Sequence, residues 1–160
     1  MYDLSFRKII EKDIPLIEKW YGMTEYFGYA TGFKDFSEVK HRLINSDFPD
    51  NITFMIDSEG KTIGFTFAEF FETKNRPILW IYILIIEPEN QNRGYGTMAV
   101  KKLIDIAKSM HRSFSCIALV SQENEKGLRF WKSSGFNRLY NLENRLKPKQ
   151  IAIYCKNINS

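Results

Sequence analysis

The sequence predicts one mixed α/β domain, of the α+β kind, spanning residues 1–160 in the order β-α-α-β-β-β-α-β-α-β-β. Three observations carry this. Segments of twofold and of 3.6-fold apolar periodicity alternate along the chain, with no Gly/Ser-rich or Pro-rich linker and no internal repeat between them. One segment, Ile78 to Ile86, is apolar at both parities, the pattern of a central strand covered on both faces. A chain of 160 residues can bury one core and is too short for two of ordinary size.

Leu4 to Ile9 reads as the first strand. Asp13 before Ile14-Pro15 has the chemistry of an N-cap with proline in the first turn, and Ile14, Ile17, Trp20 and Tyr21 continue it as a helix to about Met23. Thr24 to Phe36 holds Tyr26, Phe27, Tyr29 and Phe33 among glycines, too aromatic for a solvated loop, and is expected to cover something as a substrate lid. Asp35 to Glu38 supplies the cap of a second helix ending near Asn45. Ile52 to Asp57 and Thr62 to Phe71, joined by Ser58 to Lys61, form a hairpin with a loop of about four residues. Pro77 to Ile86 is the central strand. Gly94 to Met110 carries Val100, Leu103, Ile104 and Ala107 on one helical face. Phe114 to Val120 is a strand, Asn124 to Ser134 a helix stopped by Gly135, and Phe136 to Leu142 and Gln150 to Tyr154 are two closing strands.

Composition removes several function classes. With 44% hydrophobic and 26% charged residues the chain is neither disordered nor a disulfide scaffold. The longest apolar run, Ile78 to Ile86, is about half of the ~20 residues a membrane helix needs, and the first residues lack a secretory pattern, so a cytoplasmic protein without a membrane partner is expected. Cys116 and Cys155 sit in apolar segments and read as reduced packing residues. His41 and His111 are the only histidines, too few for a His-based metal site or a Ser-His-Asp relay, and no metal is expected. The net charge of +4 suits anionic ligands, but the Lys and Arg residues are scattered, which argues against nucleic acid. The chain is expected to act as a monomer or a homodimer.

The informative junction is Ile83-Leu-Ile-Ile-Glu-Pro-Glu-Asn-Gln-Asn-Arg-Gly-Tyr-Gly-Thr97. A buried strand runs through a proline-marked turn and Gly94-Tyr95-Gly96 into a long helix, whose first turn offers unpaired backbone N–H groups and the positive end of the helix dipole. Strand, Gly-x-Gly and helix together describe a pyrophosphate cradle. The longer dinucleotide form is absent, because Ala99 stands where its third glycine would be, and there is no P-loop lysine.

Gln91-Asn-Arg-Gly94-Tyr-Gly96 resembles the Gln/Arg-x-x-Gly-x-Gly/Ala signature of the GNAT (Gcn5-related) N-acetyltransferases, and Asn124-Glu-Lys-Gly127-Leu-Arg-Phe130-Trp131-Lys-Ser-Ser-Gly135-Phe136 resembles the family's Asn-x-x-Ala-x-x-Leu-Tyr-x-x-x-Gly-Phe segment. The opening, with Phe6-Arg7, Asp13, Leu16, Trp20 and the Gly32 region, is similar to the branch of ribosomal-protein N-terminal and aminoglycoside 6′-acetyltransferases. The resemblance implies a sheet of about seven strands with four helices, splayed between its fourth and fifth strands, with acetyl-CoA as co-substrate in the gap. It implies that Gln91, Asn92 and the backbone of Arg93, Gly94, Tyr95, Gly96 and Thr97 hold the pyrophosphate. Leu84, Ile85 and Ile86 would pair with the pantetheine amides as an added strand, with Asn124 and Trp131 near the pantetheine arm. A backbone N–H of Leu84 or Ile85 would serve as oxyanion donor.

The implied reaction moves acetyl to a primary amine of a small molecule or a peptide N-terminus, cationic acceptors among them. An alkylamine with a pKa of about 10.4 is only ~0.04% neutral at pH 7, so a proton acceptor is useful. Glu69 lies by period two in the row Ile63, Phe65, Phe67, Phe71 and reads either as base or amine anchor, or as a bulged strand-end acid facing solvent. Glu87, at the end of the central strand, reads as a second base or as a solvated turn acid; Glu72 and Glu89 are further candidates, and Glu72 with Glu69 would suit a cationic amine. The family's tyrosine that protonates the departing thiolate aligns with Trp131, which cannot do so, leaving Tyr140, Tyr95, Tyr82 or a water. Trp131 therefore also admits a core role, and the whole chain a second reading as a non-catalytic acyl-CoA-binding module. Asn124 admits a plain helix N-cap.

Overall fold

The computed structural model describes residues 3–23, 36–44, 51–147 and 150–159. Its elements are β1 (Leu4–Arg7), α1 (Ile14–Gly22), α2 (Phe36–Ile44), β2 (Asn51–Ser58), β3 (Lys61–Phe71), β4 (Ile78–Ile86), α3 (Tyr95–Lys108), β5 (Phe114–Ser121), α4 (Glu125–Ser133), β6 (Asn137–Arg138), α5 (Tyr140–Leu146) and β7 (Ile151–Ile158). Seven strands form one sheet in the order β1-β2-β3-β4-β5-β7-β6. All pairs are antiparallel except β4 with β5. The parallel pair is short: the ladder joins Ile78–Ile81 to Ser115–Ala118 and stops, while β5 continues along β7 to Ser121 and β4 along β3 to Ile86. The sheet is splayed there, as expected. No helix among the described residues is long and apolar enough to cross a membrane.

Two apolar layers sandwich the sheet. Val100, Leu103, Ile104 and Ala107 of α3 and Trp131 of α4 pack with Leu79, Ile81, Ala68 and Phe70, whereas Ile14, Ile17 and Trp20 of α1 and Leu43 of α2 pack with Phe65, Phe67, Ile83 and Ile85. The central strand thus changes face part-way. Phe67 lies opposite Ile83 but Ala68 opposite Ile81, so Tyr82 is an extra residue, a β-bulge, at the point where pairing with β5 has just ended. A second bulge corrects the expected row in β3. Ile56 lies opposite Gly64 and Asp57 opposite Thr62, which makes Ile63 the extra residue and turns it toward Tyr95 and Ala99 at the start of α3. The row beside Glu69 is Phe65 and Phe67.

Other differences from expectation have local causes. β1 stops at Arg7 rather than Ile9, because Arg7 is held by Asp13 at 2.8 Å and Asp57 at 2.9 Å. The Asp13 side chain does not cap α1; it accepts from Arg7 and from the Ile10 N–H at 2.9 Å, fixing a 3-10 turn ahead of the helix. The hairpin loop has two residues, Glu59 and Gly60, both with positive φ, a type I′ geometry matched to the twist of its strands. The expected strand Phe136 to Leu142 is two residues of β6 followed by a fifth helix, α5, so the described residues hold five α-helices where four were expected. The buried Glu143 carboxylate turns the chain, accepting from Arg138 at 2.9 Å and from the Ile153 N–H at 3.1 Å. β7 runs beyond Tyr154 to Ile158, pairing with the whole of β5. The aromatic segment Thr24 to Asp35, where the lid is expected, lies outside the described residues.

Candidate active site

The open end of the splay leads into a cavity of about 470 Å³. Leu84 and Ile86 of β4 form one wall, and Gln91, Asn92, Gly94, Gly96 and Thr97 form the turn and first helical residues of α3. The opposite wall is α4, with Lys126, Gly127, Arg129, Phe130, Trp131 and Ser133, entered at Asn124. None of the lining residues is Asp or Glu, while Lys126, Arg129 and the N-terminal end of α3 all favour an anion.

The glycines at this junction have distinct reasons. Gly94, the residue before α3, has φ +85 and nothing within 4 Å of where a Cβ would stand, so its requirement is conformational. A Cβ on Gly96 would come within 2.9 Å of the Phe130 ring, so this glycine lets α4 close against α3. Helix packing is therefore a second cause beside the phosphate approach expected from the sequence. Gln91 donates from its amide to the Ile86 carbonyl at 2.9 Å, tying the turn to the end of β4. The Asn124 side chain caps α4, accepting from the Gly127 N–H at 3.0 Å, and also lines the cavity. Trp131 likewise has two roles: it is 3% exposed, packs against Phe136 and Phe130, and closes the cavity wall.

Three residues expected around the cofactor do not line this cavity. Tyr95 is buried against Ile63 and Ala99, with its hydroxyl 3.4 Å from Ser58 Oγ; Ile85 points into the α1 layer; Arg93 is exposed. Lys126, Arg129 and Phe130 line it without having been singled out, although i, i+3, i+4 spacing on one helix would have grouped them.

The candidate catalytic residues separate. Glu69 is 6% exposed, and its carboxylate pairs with the Arg42 guanidinium of α2 at 2.7 Å, which overturns the solvent-facing alternative. Arg42 lies over the rings of Tyr82 and Phe67, 5.7 and 5.9 Å from their centroids. Burial, and then the Glu69 charge, push the Tyr82 phenol above its usual pKa, with Arg42 opposing. This cluster sits at the bulge, on the α1 and α2 side of the sheet. Glu87 is elsewhere: at the far end of β4 it accepts from Asn90 at 2.6 Å, lies 3.6 Å from Lys61 Nζ, and does not line the cavity. Tyr140 is 61% exposed on α5, stacked on Arg138, and does not line it either. Expected within a closing strand, it stands instead at the start of α5.

The sequence model of the Acetyltransferase (GNAT) family matches residues 16–136. The chain belongs to the GNAT family. This GNAT domain is 28% identical over 86 residues to an uncharacterized N-acetyltransferase of Methanocaldococcus jannaschii, a match covering 52% of the chain and 38% of that relative, so it spans well under half of the relative's length. An acetyltransferase from Thermus thermophilus shares the fold with a TM-score of 0.69 at 20% identity, over 99% of this chain and 100% of that one. The spermidine N-acetyltransferase of Vibrio cholerae, solved with CoA and spermine, superposes with a TM-score of 0.68 at 16% identity, over 97% of this chain and 94% of that one. Phe6 and Trp20 pack against Phe54 and Phe65, Asp13 holds Arg7, and none of the three lines the cavity.

Proposed function

We propose that this GNAT domain transfers acetyl from acetyl-CoA directly to a primary amine of a small molecule or a peptide N-terminus, without a metal. The observation that carries the reading is the cavity at the splay, free of carboxylates and backed by a glycine-marked helix start. Acetyl-CoA supplies the activated acetyl group. The backbone of Gly94 to Thr97 would hold its pyrophosphate, and the edge of β4 beyond Ile81, which has no ladder partner on β5, would receive the pantetheine amides. The bulge at Tyr82 turns backbone out of the ladder at the closed end of the splay. That moves the oxyanion donor from Leu84 or Ile85 back to the N–H groups around Tyr82 and Ile83. Glu69, on the other face of the same bulge, would take the proton from the acceptor ammonium.

The cytoplasm suits a thioester co-substrate and two free cysteines; burial pushes the Cys116 thiol up to about 12 and keeps it protonated. The acceptor family includes the polyamine of the Vibrio cholerae enzyme, as well as aminoglycosides and N-termini. Trp131 favours a second reading, a module that binds acyl-CoA without turnover, because indole offers no proton to a departing thiolate. Release of free CoA from acetyl-CoA with polyamine, aminoglycoside and peptide acceptors tests both. Acceptor-dependent release supports the transferase, and CoA affinity without release on any of the three classes supports the module.

A further inference from the structure

The Arg42 cluster has the composition of a site for a cation. Glu69 supplies a buried carboxylate 2.7 Å from the guanidinium, and Phe67 and Tyr82 supply two ring faces within 6 Å of its carbon. The two rings stand edge to face, 5.2 Å apart, and Trp80 lies 6.0 Å beyond Tyr82. Acid and π faces together attract an ammonium as well as a guanidinium, the guanidinium more strongly. The cluster adjoins the bulge, where β4 has just parted from β5, so it flanks the closed end of the splay on the face opposite the cavity. A cation seated there would be at the junction of the two faces.

We propose that Glu69, Phe67 and Tyr82 form a subsite for the ammonium group of the acceptor, and that Arg42 fills this subsite as a built-in competitor which the acceptor displaces. The assignment of the cation to an acceptor rests on the transferase reading. Arg42 is suited to the role because solvent reaches it: its side chain is 30% exposed, beside a carboxylate at 7%. It lies near the C-terminal end of α2, on an element separate from the sheet that carries Glu69. The competitor keeps a buried carboxylate paired while no acceptor is bound, and it sets a threshold: cations that fit both the carboxylate and the two rings displace it, and weakly held ones do not.

The test uses a cation that cannot be acetylated, n-butyltrimethylammonium, titrated by calorimetry into the wild type, Arg42→Gln, Arg42→Lys and Arg42→Gln/Glu69→Gln, with CoA titrated in parallel. Arg42→Gln should bind the probe about tenfold more tightly than the wild type, and Arg42→Lys two- to threefold, because the smaller ammonium covers the rings less fully. The double variant, which removes both charges and so leaves neither unpaired, should lose the gain. Affinity for CoA should be the same in all four proteins. Equal probe affinity in Arg42→Gln and the wild type overturns the proposal, as does a gain that survives in the double variant. Should Arg42→Gln not fold, the Arg42→Lys comparison decides, with no gain counting against the subsite. Failure of the wild type to bind CoA removes the transferase reading while the probe titrations still report on the subsite.

Discussion

The two faces of the splay are built from different materials. The cavity side relies on backbone: an unpaired strand edge, a helix start, two glycines and a carboxylate-free lining, with Trp131 and Phe130 giving shape. The bulge side relies on side chains, a partly buried Arg42–Glu69 pair whose guanidinium lies over the rings of Phe67 and Tyr82. In the proposed reading, backbone recognition of the cofactor would tolerate almost any apolar residue on β4, plain aliphatics such as Leu84 and Ile86 included. A buried charge pair tolerates little, because removal of one partner leaves the other uncompensated. Substitutions should therefore read out differently on the two sides, cofactor affinity on one and acceptor turnover on the other.

The largest effect is expected on the bulge side. Glu69→Gln should lower turnover with a suitable amine by about 10²- to 10⁴-fold, the usual cost of losing a general base, with CoA affinity unchanged. Steady-state rates and a CoA titration check this, and equal loss in both would erase the contrast between the faces. The same substitution should also cost about 1–2 kcal/mol of stability; that is less than for a fully buried pair, because Arg42 is 30% exposed.

On the cavity side, Gly96→Val should weaken CoA binding by about 10- to 100-fold, since forcing a side chain against Phe130 costs about 1–3 kcal/mol and pushes the cavity wall outward. Gly94→Val meets no neighbour and acts through its φ of +85. Gly96→Ala and Gly94→Ala sharpen the point. Thermal melts should show the Gly96 variant rescued by Phe130→Leu, whereas the Gly94 variant should gain nothing from it.

A smaller effect is expected at the leaving-group end. Trp131→Tyr places a phenol in the cavity wall, and turnover should rise several-fold with a new basic limb in the pH–rate profile. Tyr140→Phe should change rates by less than about twofold, because the exposed ring lies on α5 away from the cavity. A marked loss in Tyr140→Phe would move the proton donor to the far edge of the sheet and break the assignment of both faces.

The smallest change concerns acid stability, away from both faces. Hydrogen bonding to Arg7, against the opposing pull of burial, holds the Asp13 carboxyl below its ordinary value of 3.8. A carboxylate with a lowered folded-state pKa contributes stability that is complete above that ordinary value and disappears as pH falls through the lowered one. Asp13→Asn should therefore cost about 1–2 kcal/mol at pH 7, and the gap to the wild type in denaturant melts should close below about pH 4. A gap that does not narrow as pH falls below the ordinary value would assign the loss to packing.

Much of this was legible from residue order. The apolar run of β4, the period of α3 and the glycines before it follow from local preferences, and so these elements, the strand–Gly-x-Gly–helix junction and the cap reading of Asn124 could be read directly. What the linear pattern could not carry was register. Strict period-two counting put Ile63 in one row with Glu69, and only the pairing with β2 shows the extra residue that turns Ile63 away. The bulge at Tyr82 is equally silent in a strand apolar at every position, yet it decides which face each later residue meets. Pairing across separated segments decided the rest: Arg42 reaches Glu69, and Glu143 bends Tyr140 into a helix by holding Arg138 and the Ile153 N–H. Periodicity and capping are properties of neighbours along the chain, so the sequence determines them alone. Bulges and buried ion pairs depend on which distant strand or helix arrives opposite, and that is settled only when the sheet is assembled.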